Sequence, residues 1–368
     1  MDNNFMIEEL NKILWWIPSK KIRDSIRNIY NNKTSKLEEL NQRINNLEYL
    51  NSVLFNDKTT KDRILAYSMH TSNLSSYKIQ KWHLEDIASK ALGYFINLDN
   101  PRSLNEKINW LKLNYRNPLM KICADKYTFK EYIKSQLGEG YTIPLLGVWD
   151  NVNDIDFNKL PNQFVLKSNA GSLSREIIIV KDKNNININE IKIKMNDWLQ
   201  PWNASGHGSN WFFLNIPQRI IAEEYVEEIE NSLEYSFYCS FGNILFILLD
   251  ENKTYYIDNR TSFYDINWNK LPVKRPNLDE IQNFKIPINS DDMKIISEKL
   301  SKDFPLVRID FYNTKEKLLV GELTFYPAGG CARFEPVEWD YKFGDMIDLD
   351  NIAKEHLSRE WLEILEKK

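Results

Sequence analysis

Two short segments near the C-terminal end of the chain carry the sharpest chemical signal. One reads Arg308-Ile309-Asp310-Phe311-Tyr312 and the other Gly321-Glu322-Leu323-Thr324-Phe325-Tyr326-Pro327. Alternate side chains of a strand share a face, so Arg308 projects with Asp310, and Glu322 with Thr324. Paired as neighbouring strands, the segments bring two carboxylates, a hydroxyl and a guanidinium together. Such oxygens suit Mg2+, which takes one or two carboxylates and completes its shell with phosphate oxygens and water. The guanidinium would meet phosphate charge. The same residues also fit a buried Arg–carboxylate pair that only supports the sheet, and spacing alone leaves both readings open.

Two lysines add to the case. Lys126 sits at a helix start, where backbone N–H groups and the helix dipole favour anions. Lys167 ends an apolar strand and is followed by Ser168-Asn169-Ala170-Gly171-Ser172-Leu173-Ser174, small residues that let backbone N–H groups approach phosphates. Taken alone, a strand-ending lysine reads equally as a solvated edge charge. Glu223-Glu224-Tyr225-Val226 leaves a strand with acids beside apolar groups. Backbone hydrogen bonds there can hold a base and an acid can hold a ribose, or the segment is an ordinary strand end.

The elements that must position these residues are mixed. Helical patterns cover about 60–120, Ala124 to Ile133 and Met293 to Leu300, and a closing helix is expected from Asn351. Strands are expected at Thr142 to Leu146, Phe164 to Lys167, Ile177 to Val180 and Arg219 to Val226. Two strand pairs follow, Tyr235–Phe241 with Ile244–Leu249 around a Gly242-Asn243 turn, and Leu306–Tyr312 with Leu318–Phe325. Helices with several antiparallel hairpins predict an α+β fold. With 368 residues, 11 Trp, 18 Tyr and 18 Phe, the chain can build a sizeable core over two or three domains.

Composition excludes several classes. The net charge of −4 lacks the electrostatic footprint of a nucleic-acid binder. Apolar runs fall short of a bilayer span, and Met1 to Leu10 lacks the basic region of a secretory signal. Cys123, Cys239 and Cys331 form no CxxC pair, and His70, His83, His207 and His356 lack metal-ligand spacing, so reduced thiols in a cytoplasmic protein are expected.

The first 60 residues differ from the rest. Leu37, Leu40, Ile44, Leu47 and Leu54 fall at heptad spacing with Asn51 at a seam position. They read as a short coiled coil or as a helix packed on its own domain. Upstream, Trp15-Trp16 beside Lys20, Lys21, Arg23 and Arg27 reads as a membrane-interface contact or a protein-docking segment.

In order and spacing, these pieces resemble the TupA-like ATP-grasp family of surface-polysaccharide gene clusters. The resemblance rests on Ala124-Asp125-Lys126-Tyr127, Ile143-Pro144-Leu145-Leu146-Gly147-Val148-Trp149, Leu160-Pro161-Asn162-Gln163-Phe164-Val165-Leu166-Lys167, Ile221-Ala222-Glu223-Glu224-Tyr225 and the two late segments, and covers roughly Pro101 to Leu349. It implies an ATP-grasp fold, two α+β subdomains gripping a nucleotide, preceded by an α-helical N-terminal region. The implied division is a helical region at 1–60, a helical connection at 61–118, the ATP-grasp domain at 119–350 and a C-terminal helix at 351–368. It implies ATP and Mg2+, with two ions expected.

By the same resemblance, Lys126 and Lys167 bind phosphates, with Ser168, Gly171 and Ser172 in the loop over them. Glu223, Glu224, Tyr225 and Val226 form the adenine segment, and Glu227 or Glu230 holds the ribose. Asp310, Glu322 and Thr324 hold the metal, and Arg308 faces the transferring phosphoryl group. Gly329, Gly330, Arg333, Arg275 and Arg260 are candidate substrate contacts, and the tract Trp198 to Trp211, with Trp202 and His207, is a sugar-stacking wall or core packing. The chain departs from the family at Ala170, where a histidine is expected, and at Ser236, where a lysine is expected.

The implied activity is ATP-dependent joining of a carboxylate to an amine through an acyl phosphate. The acid would be a uronic acid or other acid of a surface-polysaccharide precursor, and the partner a small amine. Further expected partners are a second copy of the chain or other assembly proteins, met through the N-terminal helices, and the inner face of the cytoplasmic membrane. The rival readings are a glycan phosphoryl- or glycosyl-transferase, for which Asp291-Asp292 is the paired-acid candidate, and a weakly active scaffold.

Overall fold

The computed structural model describes residues 74–171, 176–200, 210–213, 216–230, 232–251 and 260–366. The expectations for residues 1–60, including the heptads and the Trp15-Trp16 segment, lie outside the described residues, as do Ser172, Ser174, Arg175, Trp202 and His207.

Four helices lead in: α1 (Leu74–Leu92), α2 (Leu104–Asn114), α3 (Leu119–Ala124) and α4 (Lys126–Leu137). Helix α2 starts where a capping box allows it: Ser103 Oγ accepts the Glu106 N–H, and the Glu106 carboxylate accepts the Ser103 N–H at 2.9 Å. Helix α4 is capped by Asp125, whose Oδ1 accepts the Tyr127 N–H at 2.9 Å. That cap fixes Lys126 as the first helical residue.

A four-stranded antiparallel sheet follows, built from β1 (Leu145–Trp149), β2 (Phe164–Ser168), β3 (Ile177–Val180) and β4 (Ile220–Glu224) in the order β1-β4-β2-β3. Helix α5 (Ile188–Trp198) lies between β3 and β4 in the chain. Period-2 alternation decides the faces. Phe164, Leu166, Val180, Ile220 and Ala222 pack with Ile191, Met195 and Trp198 of α5 in one core. Val165, Lys167, Ile177, Ile179 and Glu223 share the other face. Strand β1 begins at Leu145, later than Thr142, because Pro144 precedes it; the Pro144 carbonyl accepts the Glu224 N–H at 3.0 Å.

After the short helix α6 (Glu227–Glu230) comes the second sheet. Its strands are β5 (Glu234–Ser240), β6 (Asn243–Glu251), β7 (Arg260–Tyr264), β8 (Val307–Asn313) and β9 (Leu318–Thr324), antiparallel in the order β7-β6-β5-β8-β9. Helix α7 (Ser290–Leu300) packs against β5 and β6, and its Met293, Ile296 and Leu300 join the core that holds Phe237, Ile247, Ile309 and Phe311. Helices α8 (Glu338–Asp345) and α9 (Arg359–Leu365) close the chain.

Two expectations are corrected. The β5–β6 turn is Phe241-Gly242, with φ of 44° and 82°, one residue before the expected pair, and Asn243 already faces Ser240 in the ladder. Both positions of such a turn need positive φ; the Phe241 N–H donates to the Phe304 carbonyl at 2.8 Å, which holds a bulky residue there. The closing helix starts at Arg359, not Asn351. Asn351 Nδ2 donates to Asp348 Oδ2 at 2.8 Å in a turn, and Ser358 supplies the helix cap. Among the described residues no helix is long and apolar enough to cross a membrane.

Candidate functional site

The pairing of β8 with β9 sets Arg308 opposite Thr324 and Asp310 opposite Glu322, while β5 places Ser236 beside Asp310. Five chemically active side chains thus share one face. The Arg308 Nε donates to Asp310 Oδ1 at 2.8 Å, and Nη2 to Asp310 Oδ2 at 2.5 Å. Nη2 also reaches Glu322 Oε1 and Thr324 Oγ1, each at 3.1 Å. Thr324 Oγ1 donates to Glu322 Oε1 at 3.0 Å, and Ser236 Oγ to Asp310 Oδ1 at 2.6 Å. Burial opposes the Arg308 charge, but Asp310 beside it outweighs that and holds the guanidinium well above its ordinary value.

The donor set fits Mg2+. Asp310 is buried, whereas the Glu322 side chain is 51% exposed, so one acid is fixed and the other faces water. Hydroxyls of Thr324 and Ser236 stand alongside, and every donor is oxygen. No cluster of three or more His, Cys, Asp or Glu side chains that could hold a metal occurs among the described residues. Two carboxylates with neutral oxygens is the complement Mg2+ ordinarily takes.

A second charged cluster spans the first sheet and α4. Glu223 faces Val165, so Lys167 lies diagonally across from it on the same face. Lys167 Nζ stands 2.6 Å from Glu223 Oε2, and Lys130 Nζ 2.6 Å from Oε1. Burial pushes the Glu223 carboxyl up, but the two ammonium groups outweigh it and leave it below the usual carboxylate range. Burial pushes the Lys130 ammonium down. Lys126, one turn earlier on α4, donates from Nζ to the Gly171 carbonyl, and its own N–H donates to the Asn169 carbonyl at 2.9 Å. Burial lowers Lys126 as well, and Glu322 of the other cluster is the strongest influence against that.

Tyr312 lies two residues beyond Asp310 on β8, opposite Glu234 of β5 and Leu319 of β9. Burial pushes its hydroxyl well above the ordinary value, and Glu234, Glu322, Asp310 and Glu223 push it the same way. The bulge in β8–β9 after Asp310 leaves Gly321 as the residue with no partner opposite it. A Cβ on Gly321 would lie 2.7 Å from Tyr312 Cε2, so only glycine fits there.

The structure thus brings together Arg308, Asp310, Glu322 and Thr324, and separately Lys126, Lys167 and Glu223. Sequence reasoning missed Lys130 and Tyr312. The four-residue spacing of Lys126 and Lys130 on one helix face was the available signal for the first. Ser168 ends β2 and is buried; Gly171 serves through its carbonyl; Ser172 lies outside the described residues. Glu224 is exposed, and Tyr225 and Val226 follow directly on β4, with Lys181 Nζ 5.8 Å from the Tyr225 ring centre. Glu227 is exposed on α6, and the side chain of Glu230 is outside the description.

The expected substrate contacts fare unevenly. The Gly329 N–H donates to the Tyr326 carbonyl at 2.9 Å, so that expected anion donor is already engaged. The Gly329 and Gly330 carbonyls instead accept Lys112 Nζ at 2.6 Å and Asn109 Nδ2 at 2.8 Å, tying the turn to α2. Arg260 pairs with Glu251 at 3.3 Å at the outer strands, and Arg333 Nε donates to Ala91 O at 2.7 Å at the end of α1. Arg275 stacks on Phe334 and Phe263 at 4.5 and 5.5 Å. Trp198 and Trp211 are core residues, the latter donating to Tyr326 Oη at 3.2 Å, so neither forms a sugar wall. Asp291 and Asp292 are exposed in the first turn of α7, where acids favour the helix dipole.

Both departures have local reasons. Ala170 is fully buried beside Asn169, whose amide bridges Asp125 and the Pro217 carbonyl, so an imidazole there would have to displace packed neighbours. Ser236 is also fully buried, and its hydroxyl holds Asp310.

Among solved structures the chain is similar to the D-alanine–D-alanine ligase from Bacillus anthracis, at 19% identity over 57% of this chain and 58% of that one, TM-score 0.35. It is similar to the D-alanine–D-alanine ligase from Coxiella burnetii at 12% identity over 72% and 69%, TM-score 0.39. It is also similar to the D-cycloserine synthetase DcsG at 12% identity over 62% and 70%, TM-score 0.34. The chain thus spans 58% of the length of the Bacillus anthracis ligase. No curated protein sequence matches it. A family model described as TupA-like ATPgrasp matches residues 106–348, which hold α4, both sheets and both charged clusters, and the chain belongs to that family.

Proposed function

We propose that the protein is an ATP-dependent carboxylate–amine ligase that forms an amide on an acid of a bacterial surface-polysaccharide precursor. The observation that carries this reading is the pair of clusters, basic on α4 and β2, acidic on β8 and β9, brought near each other by the packing of α4 on β9, with Glu322 favouring the Lys126 charge. An ammonium cluster beside the half-exposed apolar side chains Val165, Ile177 and Ile179 suits a nucleotide, with phosphates on Lys126 and Lys167 and the base on the apolar face. Asp310 and Glu322 would hold Mg2+. When bound, the ion neutralises charge on the phosphates.

The chemistry balances without a further reactant. A carboxylate oxygen of the acid attacks the γ-phosphorus, the bond to the bridging oxygen breaks, and ADP leaves. The amine nitrogen then attacks the acyl carbon, phosphate departs, and the nitrogen loses its proton. Arg308 contributes charge next to the transferring group, and Lys167 and Lys126 hold the polyphosphate in line. The acid is a uronic acid and the amine a small one. The full chain works in the cytoplasm, at the inner membrane face, with partners engaged by residues 1–60.

Phosphate release from ATP tests this. The ligase requires Mg2+, a uronic acid and an amine together. Release with the acid alone would make the protein a kinase, and no turnover with any pair would make it a scaffold.

A further inference from the structure

We infer that Arg275 is the anchor for the carboxylate of the acid substrate. This rests on the ligase reading above and names the part of the site that recognises the acid. Arg308 lies opposite Tyr238, Tyr238 faces and stacks on Phe246 at 4.3 Å, and Leu248, two residues on, faces Phe263. Arg308, Tyr238, Phe246 and Phe263 therefore share one face across four strands. The face is acidic at β8–β9 and aromatic at β5–β7. Arg275 stands over the aromatic end, between Phe263 and Phe334.

The two guanidinium groups differ in how they are satisfied. Arg308 is neutralised by Asp310 and Glu322. Arg275 has no carboxylate within ion-pair distance among the described residues; Asp250 and Asp340 act on it from farther away, and Arg308 repels it. Of its five donors, one is used among the described residues, from Nη1 to the Arg333 carbonyl at 3.2 Å. Burial lowers its pKa accordingly. Arg260 belongs to the opposite face of β7 and is paired with Glu251, and Arg333 is turned to α1. Of the three arginines considered, Arg275 is therefore the one on the site face with donor capacity left. A planar fork between two rings matches a carboxylate better than a point charge would. The flanking rings are core residues, packed on each other and on Phe343, and they fix the plane in which the guanidinium presents its free donors.

The test uses the full chain with Mg2+ and AMP-PNP, titrated in a calorimeter with D-glucuronate and D-glucuronamide. Wild type should bind glucuronate at least tenfold more tightly than the neutral amide. R275M, which keeps the stem between the rings, should lose that preference, and R275K should regain part of it. All three should bind AMP-PNP alike. R275M binding glucuronate as wild type does, or wild type without preference, overturns the inference. Repeating the titrations without nucleotide separates the two readings. Glucuronate preference without AMP-PNP binding would defeat the ligase reading and leave the subsite standing; the reverse result would do the opposite.

Discussion

At the scale of single residues, Glu223 decides how the lysines stand. Its carboxylate is buried between two ammonium groups at 2.6 Å each. Removing one member of such a buried set leaves charge uncompensated, so E223Q should lose about 3 kcal/mol, read from urea unfolding at pH 7. The pH dependence has a definite sign. The folded Glu223 carboxyl titrates below its unfolded value because Lys167 and Lys130 outweigh burial. The stability it contributes is present above the ordinary carboxylate range and is lost as pH falls through the folded value. E223Q should therefore show a shallower acid limb than wild type; parallel limbs would contradict the assignment. Gly321 is the second such residue. In G321A the new Cβ meets the Tyr312 ring at 2.7 Å, which forces the ring from its place among the acids. Overpacking of this kind costs about 1–3 kcal/mol. The circular dichroism melt should fall accordingly, and a G321A/Y312L double variant, which removes the ring, should recover most of the loss.

At the scale of elements, the Asp125 cap sets where Lys126 stands. Its carboxylate accepts the Tyr127 N–H and the Asn169 amide, both at 2.9 Å. Loss of a cap costs about 1 kcal/mol, so D125A should lower the melting temperature modestly. Because α4 would fray from its first turn, AMP-PNP affinity should fall by more than stability does. An unchanged nucleotide affinity would place Lys126 outside the phosphate site.

The strands that carry local patterns were legible from sequence. Ile177–Val180 appears at its expected bounds, and Arg308, Asp310, Glu322 and Thr324 converge as strand periodicity requires. What was not legible depends on distant pairing. Lys130 belongs to the cluster because β4 brings Glu223 under α4, and its spacing from Lys126 does not say what lies opposite that helix face. Phe241 takes a left-handed turn position because its N–H reaches Phe304, far along the chain. Arg275, Arg260 and Arg333 look alike in sequence, and only sheet order and face separate them.

At the scale of the whole described fold, the two clusters come from different sheets, yet α4, which carries Lys126, packs on β9, which carries Glu322. This arrangement predicts linked binding of metal and nucleotide. The Arg308 guanidinium spans Asp310 and Glu322, the two acids a divalent ion needs. An ion approaching them meets a fixed positive charge in a half-buried setting, where repulsion is poorly screened. A polyphosphate supplies the opposing charge, draws on Arg308 and contributes its own oxygens to the ion. Mn2+ followed by electron paramagnetic resonance should therefore bind the nucleotide-free protein weakly and the AMP-PNP complex roughly ten- to a hundredfold more tightly, within the usual span of such coupling. By reciprocity the metal should raise AMP-PNP affinity by the same factor. In R308Q the free protein should bind Mn2+ more tightly than wild type, and the coupling should shrink. Equal Mn2+ affinity with and without nucleotide in wild type would show that the guanidinium does not guard the acids.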